Sequence, residues 1–481
     1  LRACAAWGPA CVERFNGMFA FALWDRDRRE LLLARDRYGI KPLYYTFAGS
    51  ALVFASEQKG LLVHPDVPRR LDLEGLLEYM TFQNFFTDRT LLEGVKTFPA
   101  GCTAVVRPGD APGRLEPRRY WDFDFREPDE AADPNEYLEE ADRLFRQAVQ
   151  RQLVSDVELG AYLSGGMDSG SITAIAAGHL PYIRTFTCGF DLSSASGLEL
   201  AFDERAAAER MSYRFRTEHY EMVLKAGDME RVLPRLAWHI EEPRVGQSYP
   251  NFYVAQLASK FVKVALAGSG GDELFGGYPW RYYRAVVNDD FEHYVDKYYL
   301  YWQRLIPNRD LQRVFRPVRR HVEHVWTRDI FRDVFRRHAE RLTRPEDYIN
   351  HSLYFEAKTF LHGLLIVSDK LAMAHGLEER VPFLDNDFVD FAMRVPVGLK
   401  LGNLGEVVRL NENEPGLKTR RYFQKARDGK LLLRQMMARH IPREVTDGVK
   451  KGFSAPDASW FKGESLDYVR QRLFHRHARL Y

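Results

Sequence analysis

Twice along this chain an apolar strand runs into a glycine-rich turn that carries an aspartate, and no other feature restricts the fold as tightly. The first turn is Leu163-Ser164-Gly165-Gly166-Met167-Asp168-Ser169, between a short strand, Leu159–Leu163, and a small-residue helix, Ser171–Ala177. The second is Leu266-Ala267-Gly268-Ser269-Gly270-Gly271-Asp272-Glu273-Leu274-Phe275-Gly276-Gly277-Tyr278, after the apolar run Phe261–Ala267. Thr185–Gly189 reads as another strand, and Ala206–Phe215 and Tyr249–Lys260 read as helices. Strand–helix alternation of this kind predicts an α/β domain with a mainly parallel sheet. Both turns then open at the carboxyl edge, where ligands bind. A helix over Asp133–Leu153 leads in, its apolar residues (Leu138, Ala141, Leu144, Phe145, Val149, Leu153) recurring at helical spacing. From Asp289 to about Ile441 the pattern is mostly helical, and there is no internal repeat.

Ahead of residue 118 the period is different. Met18–Trp24 alternates bulky apolar groups, Glu30–Ala34 is a second strand, and Leu43–Phe47 and Leu52–Ala55 flank an Ala-Gly-Ser turn as a hairpin. Leu73–Tyr79 reads as a helix. This is an antiparallel sheet domain, and residues 109–119 read as turn and linker. The expected division is therefore 1–117, a linker over 118–134, and 135–481.

A chain of 481 residues exceeds one ordinary core, which agrees with two domains. Its formal net charge of +2, from 69 basic and 67 acidic side chains, supplies no overall field for nucleic acid or an anionic membrane, and neither is an expected partner. Four cysteines (Cys4, Cys11, Cys102, Cys188) without a CxxC pair read as reduced thiols of a cytoplasmic protein. No apolar run approaches the ~20 residues that span a bilayer. The start, Leu1-Arg2-Ala3-Cys4, lacks an initiator Met and a signal-peptide pattern, and reads as the cut end of a longer protein. The arginines of Arg313–Arg344 alternate with apolar residues at helical intervals and read as solvated helix faces.

The chemistry is concentrated in the two turns. Gly165 and Gly166 allow the backbone N–H groups to wrap a polyphosphate, the following helix directs its positive end there, and Ser164 and Ser169 add hydroxyls. No Walker lysine follows, so transfer of a γ-phosphate does not fit. Departure of pyrophosphate does, with Asp168 holding Mg²⁺ on the leaving group and Asp272 sharing the metal. The plain structural reading, two glycine turns with a capping aspartate, requires the same device to recur at a matching strand end by accident. The strand Thr185–Phe190 ends at the same edge, where its backbone can read an adenine; Cys188 is expected to pack rather than react.

On these residues the second territory resembles asparagine synthetase of the glutamine-hydrolysing type. The matching segments are Ser164–Ser169, Phe202-Asp203-Glu204, Gly268–Tyr278, Asp369–Asp385 and Lys450–Pro456, with Trp460 following. The first territory, through Phe15–Asp25, Ala34–Tyr45 and Phe54-Ala55-Ser56-Glu57, resembles the later part of a class II glutamine amidotransferase domain. The fold this implies is a partial Ntn-type αββα glutaminase sandwich, followed by an α/β ATP-pyrophosphatase domain with a helical extension. The resemblance implies hydrolysis of glutamine in the first domain and passage of ammonia to the second. There ATP and a carboxylate, aspartate in the family, form an acyl-adenylate. It places Tyr162, Leu163, Cys188, Ala267 and Gly268 against the nucleotide and Lys450 on a loop where a cation balances developing charge. The family's nucleophilic cysteine matches neither Cys4 nor Cys11, so this chain as given is expected not to hydrolyse glutamine. The implied partners are small molecules: aspartate or another carboxylate, and glutamine or ammonia. A homodimer is the assembly to test.

One position departs from the family. The residue after Gly268, usually acidic and tied to forming the aspartyl-adenylate, is Ser269. A hydroxyl hydrogen-bonds but carries no charge, which implies slower chemistry or another carboxylate, as in relatives such as β-lactam synthetase. A degenerate homologue without turnover is the competing expectation. Asp168→Asn is expected to abolish adenylation with little loss of stability.

Overall fold

The alternating run near residue 20 pairs as its pattern requires. In the computed structural model β1 (Ala20–Asp25) lies antiparallel to β2 (Glu30–Arg35), with Leu23 opposite Leu32. β3 (Tyr44–Ala48) and β4 (Ala51–Ala55) form the expected hairpin. The structure describes residues 1–475 apart from 111–112, 131, 196–198, 201–202, 246–247, 283–287, 338–341, 404–425 and 449–454. The first 120 residues build two antiparallel sheets, ordered β1-β2-β6-β7 and β4-β3-β5, where β5 is Lys96–Thr97, β6 is Cys102–Val106 and β7 is Arg118–Arg119. Arg118 and Arg119, expected in the linker, instead pair with Thr103 and Cys102. Leu33, Leu43, Tyr45, Phe98 and Ala104 are buried between the sheets.

The second half carries five strands ordered β10-β9-β8-β11-β12, every pair parallel. They are β8 (Leu159–Tyr162), β9 (Arg184–Phe190), β10 (Glu218–Leu224), β11 (Val264–Leu266) and β12 (Glu378–Arg380). Paired residues share a face of a sheet, so Tyr162, Phe186 and Cys188 stand on the same side as Ala265 and Glu379. That side packs against the helices Ser248–Ala258 and His362–Met373 through Phe252, Ala255, Val367 and Leu371. The other side buries Ala161 and Leu266 under Phe145, Val149, Ile172 and Ile175, from the helices Pro134–Gln152 and Met167–His179. Full burial of side chains such as Phe145 and Val149 is worth about 1.5–3 kcal/mol each.

Two strands escape the sequence pattern. β10 (Glu-His-Tyr-Glu-Met-Val-Leu) is a polar edge strand, and β12 (Glu-Glu-Arg) is three residues of charge on the opposite edge. The helix expected from Ser171 begins at Met167, which places Asp168 and Ser169 in its first turn rather than in the loop.

A charged loop joins the halves. Buried Arg35 donates to the carbonyls of Lys41, Phe98 and Gly39, at 2.7, 2.6 and 2.7 Å. Asp36 accepts the N–H groups of Tyr38, Ile40 and Lys41 within 3.1 Å. So braced, the loop presents Lys41 to Asp369, at 2.7 Å, and the Tyr38 hydroxyl to Asn386, at 3.0 Å. Asn16 donates to Asp385 at 2.9 Å and accepts the N–H of Asn386. Gly39, at φ 67°, lies so close to His362 that a Cβ there would stand 2.9 Å from the ring.

Candidate active site

Both glycine turns follow neighbouring strands, β8 and β11, and face each other. A Cβ on Gly268 would stand 3.1 Å from the Cβ of Asp168 and 3.3 Å from the N of Ser169, so only glycine permits this approach. The first turn is shaped by its own hydroxyls. Ser164 N–H donates to Ser169 Oγ at 3.0 Å, Gly166 N–H to Ser164 Oγ at 3.1 Å, and the two hydroxyl oxygens are 2.9 Å apart. Gly166 caps the helix Met167–His179 without a side-chain hydrogen bond. Its first N–H groups therefore point, unspent on a cap, at the space between the turns, an arrangement suited to an anion. In the second turn Gly270, at φ 102°, leads into the short helix Gly271–Phe275 that carries Asp272.

Between the two aspartates lies a group that sequence reasoning did not select. Lys430 Nζ is 2.5 Å from Asp168 Oδ2 and 2.5 Å from Asp272 Oδ1. The lysine is buried and has left-handed backbone, φ 58°, at the entry to the helix Leu431–Met437. Its N–H bonds the carbonyl of Phe275 at 3.2 Å, which ties the helix entry to the second turn. Burial works against the ammonium, but Asp168 and Asp272 outweigh it and hold Lys430 above the usual lysine range. Arg434, one helical turn on, donates to the carbonyls of Gly429, Thr446 and Gly448. Its guanidinium is pulled down by burial against the attraction of the same two aspartates. Isolated in sequence from any motif, Lys430 gives no local sign of its role. Its only hint is the preceding Gly429, where a Cβ would stand 2.4 Å from the carbonyl oxygen of Gly276.

The remaining expected site residues divide by position. Tyr162, Leu163, Ala267 and Gly268 come together where β8 and β11 end, and Leu163 N–H pairs with Phe186 O at 2.9 Å across to β9. Thr187 donates its hydroxyl to Leu163 O, fixing the third strand end beside the first turn. Cys188 is buried in the apolar layer, which pushes its thiol up to about 12. Such a thiol packs rather than reacts, as expected. Ser269 is half-buried at the rim of the second turn. Lys450 and Phe202 lie outside the described residues.

A metal can be tested against this geometry. Among the described residues there is no cluster of three or more His, Cys, Asp or Glu able to hold an ion by itself. Mg²⁺ needs no such cluster, since one or two carboxylates and phosphate oxygens suffice. Asp168 Oδ1 is buried and has no hydrogen-bond partner among the described residues, so one carboxylate oxygen remains for an ion that arrives with a polyphosphate. The residues fit.

Residues 140–481 match the family model for asparagine synthase, and residues 1–121 match that of a glutamine amidotransferase domain. The chain belongs to the asparagine synthase family. Glutamine-hydrolyzing asparagine synthetase 1 of Bacillus subtilis is 30% identical over 95% of this chain and 71% of its own length. Asparagine synthetase 3 of the same organism is 31% identical over 82% of this chain and 64% of its own. A more distant relative, amidase chyE of Penicillium rubens, is 26% identical over 97% and 73%. Asparagine synthase family membership makes this an asparagine-synthetase-like amidotransferase. Among its described residues no helix is long and apolar enough to cross a membrane.

Proposed function

We propose that the protein is an ATP-dependent amide ligase that converts a carboxylate into an acyl-adenylate and lets ammonia displace AMP. Residues 1–117 are the later part of the glutamine-handling unit and 135–481 the synthetase. The observation that carries the reading is the facing pair of glycine turns whose aspartates share the ammonium of Lys430.

In this reading the N–H groups of the first turn and of the helix Met167–His179 hold the phosphates. The backbone at Tyr162, Leu163, Cys188, Ala267 and Gly268 receives the nucleoside. Asp168 and Asp272 hold Mg²⁺, which when bound neutralises charge on the pyrophosphate. Lys430, already desolvated, gives the departing phosphates a cation that needs no reorganisation during the reaction, where such preorganised charge is most effective. Lys450 is assigned a similar part from its place in the family pattern. Ser269 borders the acceptor carboxylate with a neutral hydroxyl. Aspartate, giving asparagine, AMP and pyrophosphate, is the default acceptor. Another carboxylate is the second reading, favoured by Ser269 and by a relative whose name is amidase rather than synthetase.

The test is pyrophosphate release from Mg·ATP with ammonia, across a panel of carboxylic acids. Aspartate-dependent release supports asparagine synthesis, and release that needs another acid selects the second reading. No release with any acid refutes the ligase and leaves a protein that keeps the fold without turnover.

A further inference from the structure

Outside the two glycine turns, a pair of thiols meets in the first domain. Cys4 Sγ and Cys11 Sγ are 3.2 Å apart. In an unbroken helix, residues seven apart are separated by about 10 Å along the axis, so a break is needed to bring these two together. Gly8 makes it. At φ 61° it ends the helix Arg2–Trp7, its N–H bonding the carbonyl of Cys4, and it opens the 3₁₀ helix Gly8–Arg14. Only a residue without a Cβ adopts that conformation freely. Arg14 closes the same fold from its far end, with its guanidinium 4.3 Å from the centre of the Trp7 ring. Cys11 is buried with Val12 and Ala34, whereas Cys4 is half-buried.

Packing alone asks only that a buried cysteine face apolar neighbours; here the buried thiol faces a second thiol. The sulfurs of a disulfide are about 2 Å apart, so a shift of about 1 Å shared by two side chains forms the bond. We propose that Cys4 and Cys11 are a reversible oxidation site for peroxides, and that their disulfide stiffens the segment by which the first domain holds the second. With hydrogen peroxide as the oxidant the step balances. The Cys4 thiolate attacks one oxygen: an S–O bond forms, the O–O bond breaks and hydroxide departs. The Cys11 sulfur then attacks the Cys4 sulfenic acid. An S–S bond forms, the S–O bond breaks, and the leaving oxygen takes the Cys11 proton. Two thiols and one peroxide give one disulfide and two waters; the sulfurs lose two electrons and the peroxide gains them. Reversible bonds of this kind serve as redox sensors even in reducing compartments.

Burial divides the roles. Cys4 is the thiol that solvent reaches, so it meets the oxidant. Cys11 is pushed up to about 11 by burial and then by its hydrogen bond to Cys4, so it stays protonated until a sulfenic acid forms beside it. The consequence travels along the chain. The 3₁₀ helix that carries Cys11 runs directly into Phe15 and Asn16. Phe15 O accepts from the Asn386 side chain at 2.9 Å, and Asn16 donates to Asp385 and accepts the Asn386 N–H. A covalent tie between Cys4 and Cys11 closes a short loop just ahead of these contacts and removes conformations open to the segment.

The experiment treats the unsubstituted chain and Cys4→Ser with hydrogen peroxide, then alkylates the unfolded products. Trypsin releases residues 3–14 as one peptide, which carries both cysteines. From the unsubstituted chain that peptide is expected unalkylated and two hydrogens lighter, and doubly alkylated once dithiothreitol has reduced it. From Cys4→Ser it is expected with one alkylated cysteine. Hydrogen exchange supplies the second readout. In the oxidised chain the amides of residues 12–16 and of Asn386 should exchange at least about 10-fold more slowly than in the reduced chain, and in Cys4→Ser peroxide should leave them unchanged. Over-oxidised or intermolecular products in place of the internal disulfide overturn the inference, and so does a disulfide that leaves exchange at those amides unchanged. Neither assay involves ATP, so the result is independent of the ligase reading.

Discussion

Replacing Lys430 by methionine keeps the length of the side chain and removes the ammonium from between Asp168 and Asp272. Each carboxylate oxygen lies 2.5 Å from that nitrogen, so the two are no more than about 5 Å apart and face each other uncompensated in the variant. Removing one partner of a buried ion pair costs about 3–5 kcal/mol. The aspartate side chains are 19% and 14% exposed, so water recovers part of their solvation and the lower end, about 3 kcal/mol, applies. At about 2 °C per kcal/mol for a large domain, the midpoint should fall by about 6 °C. With the ammonium gone, Asp168 and Asp272 would be free to hold Mg²⁺, which would supply the missing positive charge. Calorimetry with and without Mg²⁺ is therefore the assay: the ion should restore several degrees in Lys430→Met and have little effect on the parent. ATP–pyrophosphate exchange, measured in parallel, should be lost. An unchanged midpoint together with unchanged exchange would show that Lys430 neither closes the turns nor assists the pyrophosphate, and the site as described would fail.

Asp168→Asn should abolish exchange, but the stability expected from sequence alone changes: half of the compensation for a buried ammonium is lost, so denaturant unfolding should report a deficit of about 1–3 kcal/mol rather than none. Glu379 gives a pH signature. Its carboxyl titrates near 7 in the folded chain against 4.5 ordinarily, so its contribution is complete below about 4.5 and lost as pH rises through about 7. The span is worth about 3 kcal/mol. Glu379→Gln should remove that slope from the stability profile, and an identical slope in the variant would locate the titration elsewhere. If aspartate is the acceptor, Ser269→Glu should raise aspartate-dependent pyrophosphate release about 10-fold, equivalent to about 1.4 kcal/mol of transition-state stabilisation. No change would detach that position from acceptor activation.

Periodicity and turn chemistry made the parallel sheet legible, because strands such as β8 and β9 are apolar runs bounded by glycine or polar residues. β12 was not legible: Glu378-Glu379-Arg380 has no strand propensity, and only the vacant edge of β11 makes it one. Asp168 and Asp272 were legible because each sits inside a turn whose glycines have a stated purpose. Lys430 was not, since it comes 158 residues after Asp272 and reaches the site only through packing of the last helices. Shape alone also fails for Ser164 and Ser169, whose hydroxyls read as ligand donors and are engaged with each other.

The Arg35–Lys41 and Asp369–Asp385 segments resembled the family strongly, yet Arg37, Tyr38, Lys41, Asp369 and Asp385 make the joint between domains rather than the site. Its contributions are unequal. Arg37–Asp390 has a carboxylate 44% exposed, and such pairs contribute about 0–1 kcal/mol. Lys370–Glu241 is buried on both sides, and Glu241 also accepts the N–H groups of Gln58 and Lys59 at 3.0 and 2.7 Å. Lys41–Asp369 is nearly as enclosed on the acid side. Loss of either lysine strands a desolvated carboxylate, a cost of several kcal/mol. Ser368, Asp369 and Lys370 are consecutive on one helix: the first meets Glu379, the second pairs with Lys41 of the first domain, and the third pairs with Glu241 of its own domain, whose carboxylate accepts the first domain's Gln58 and Lys59 N–H groups.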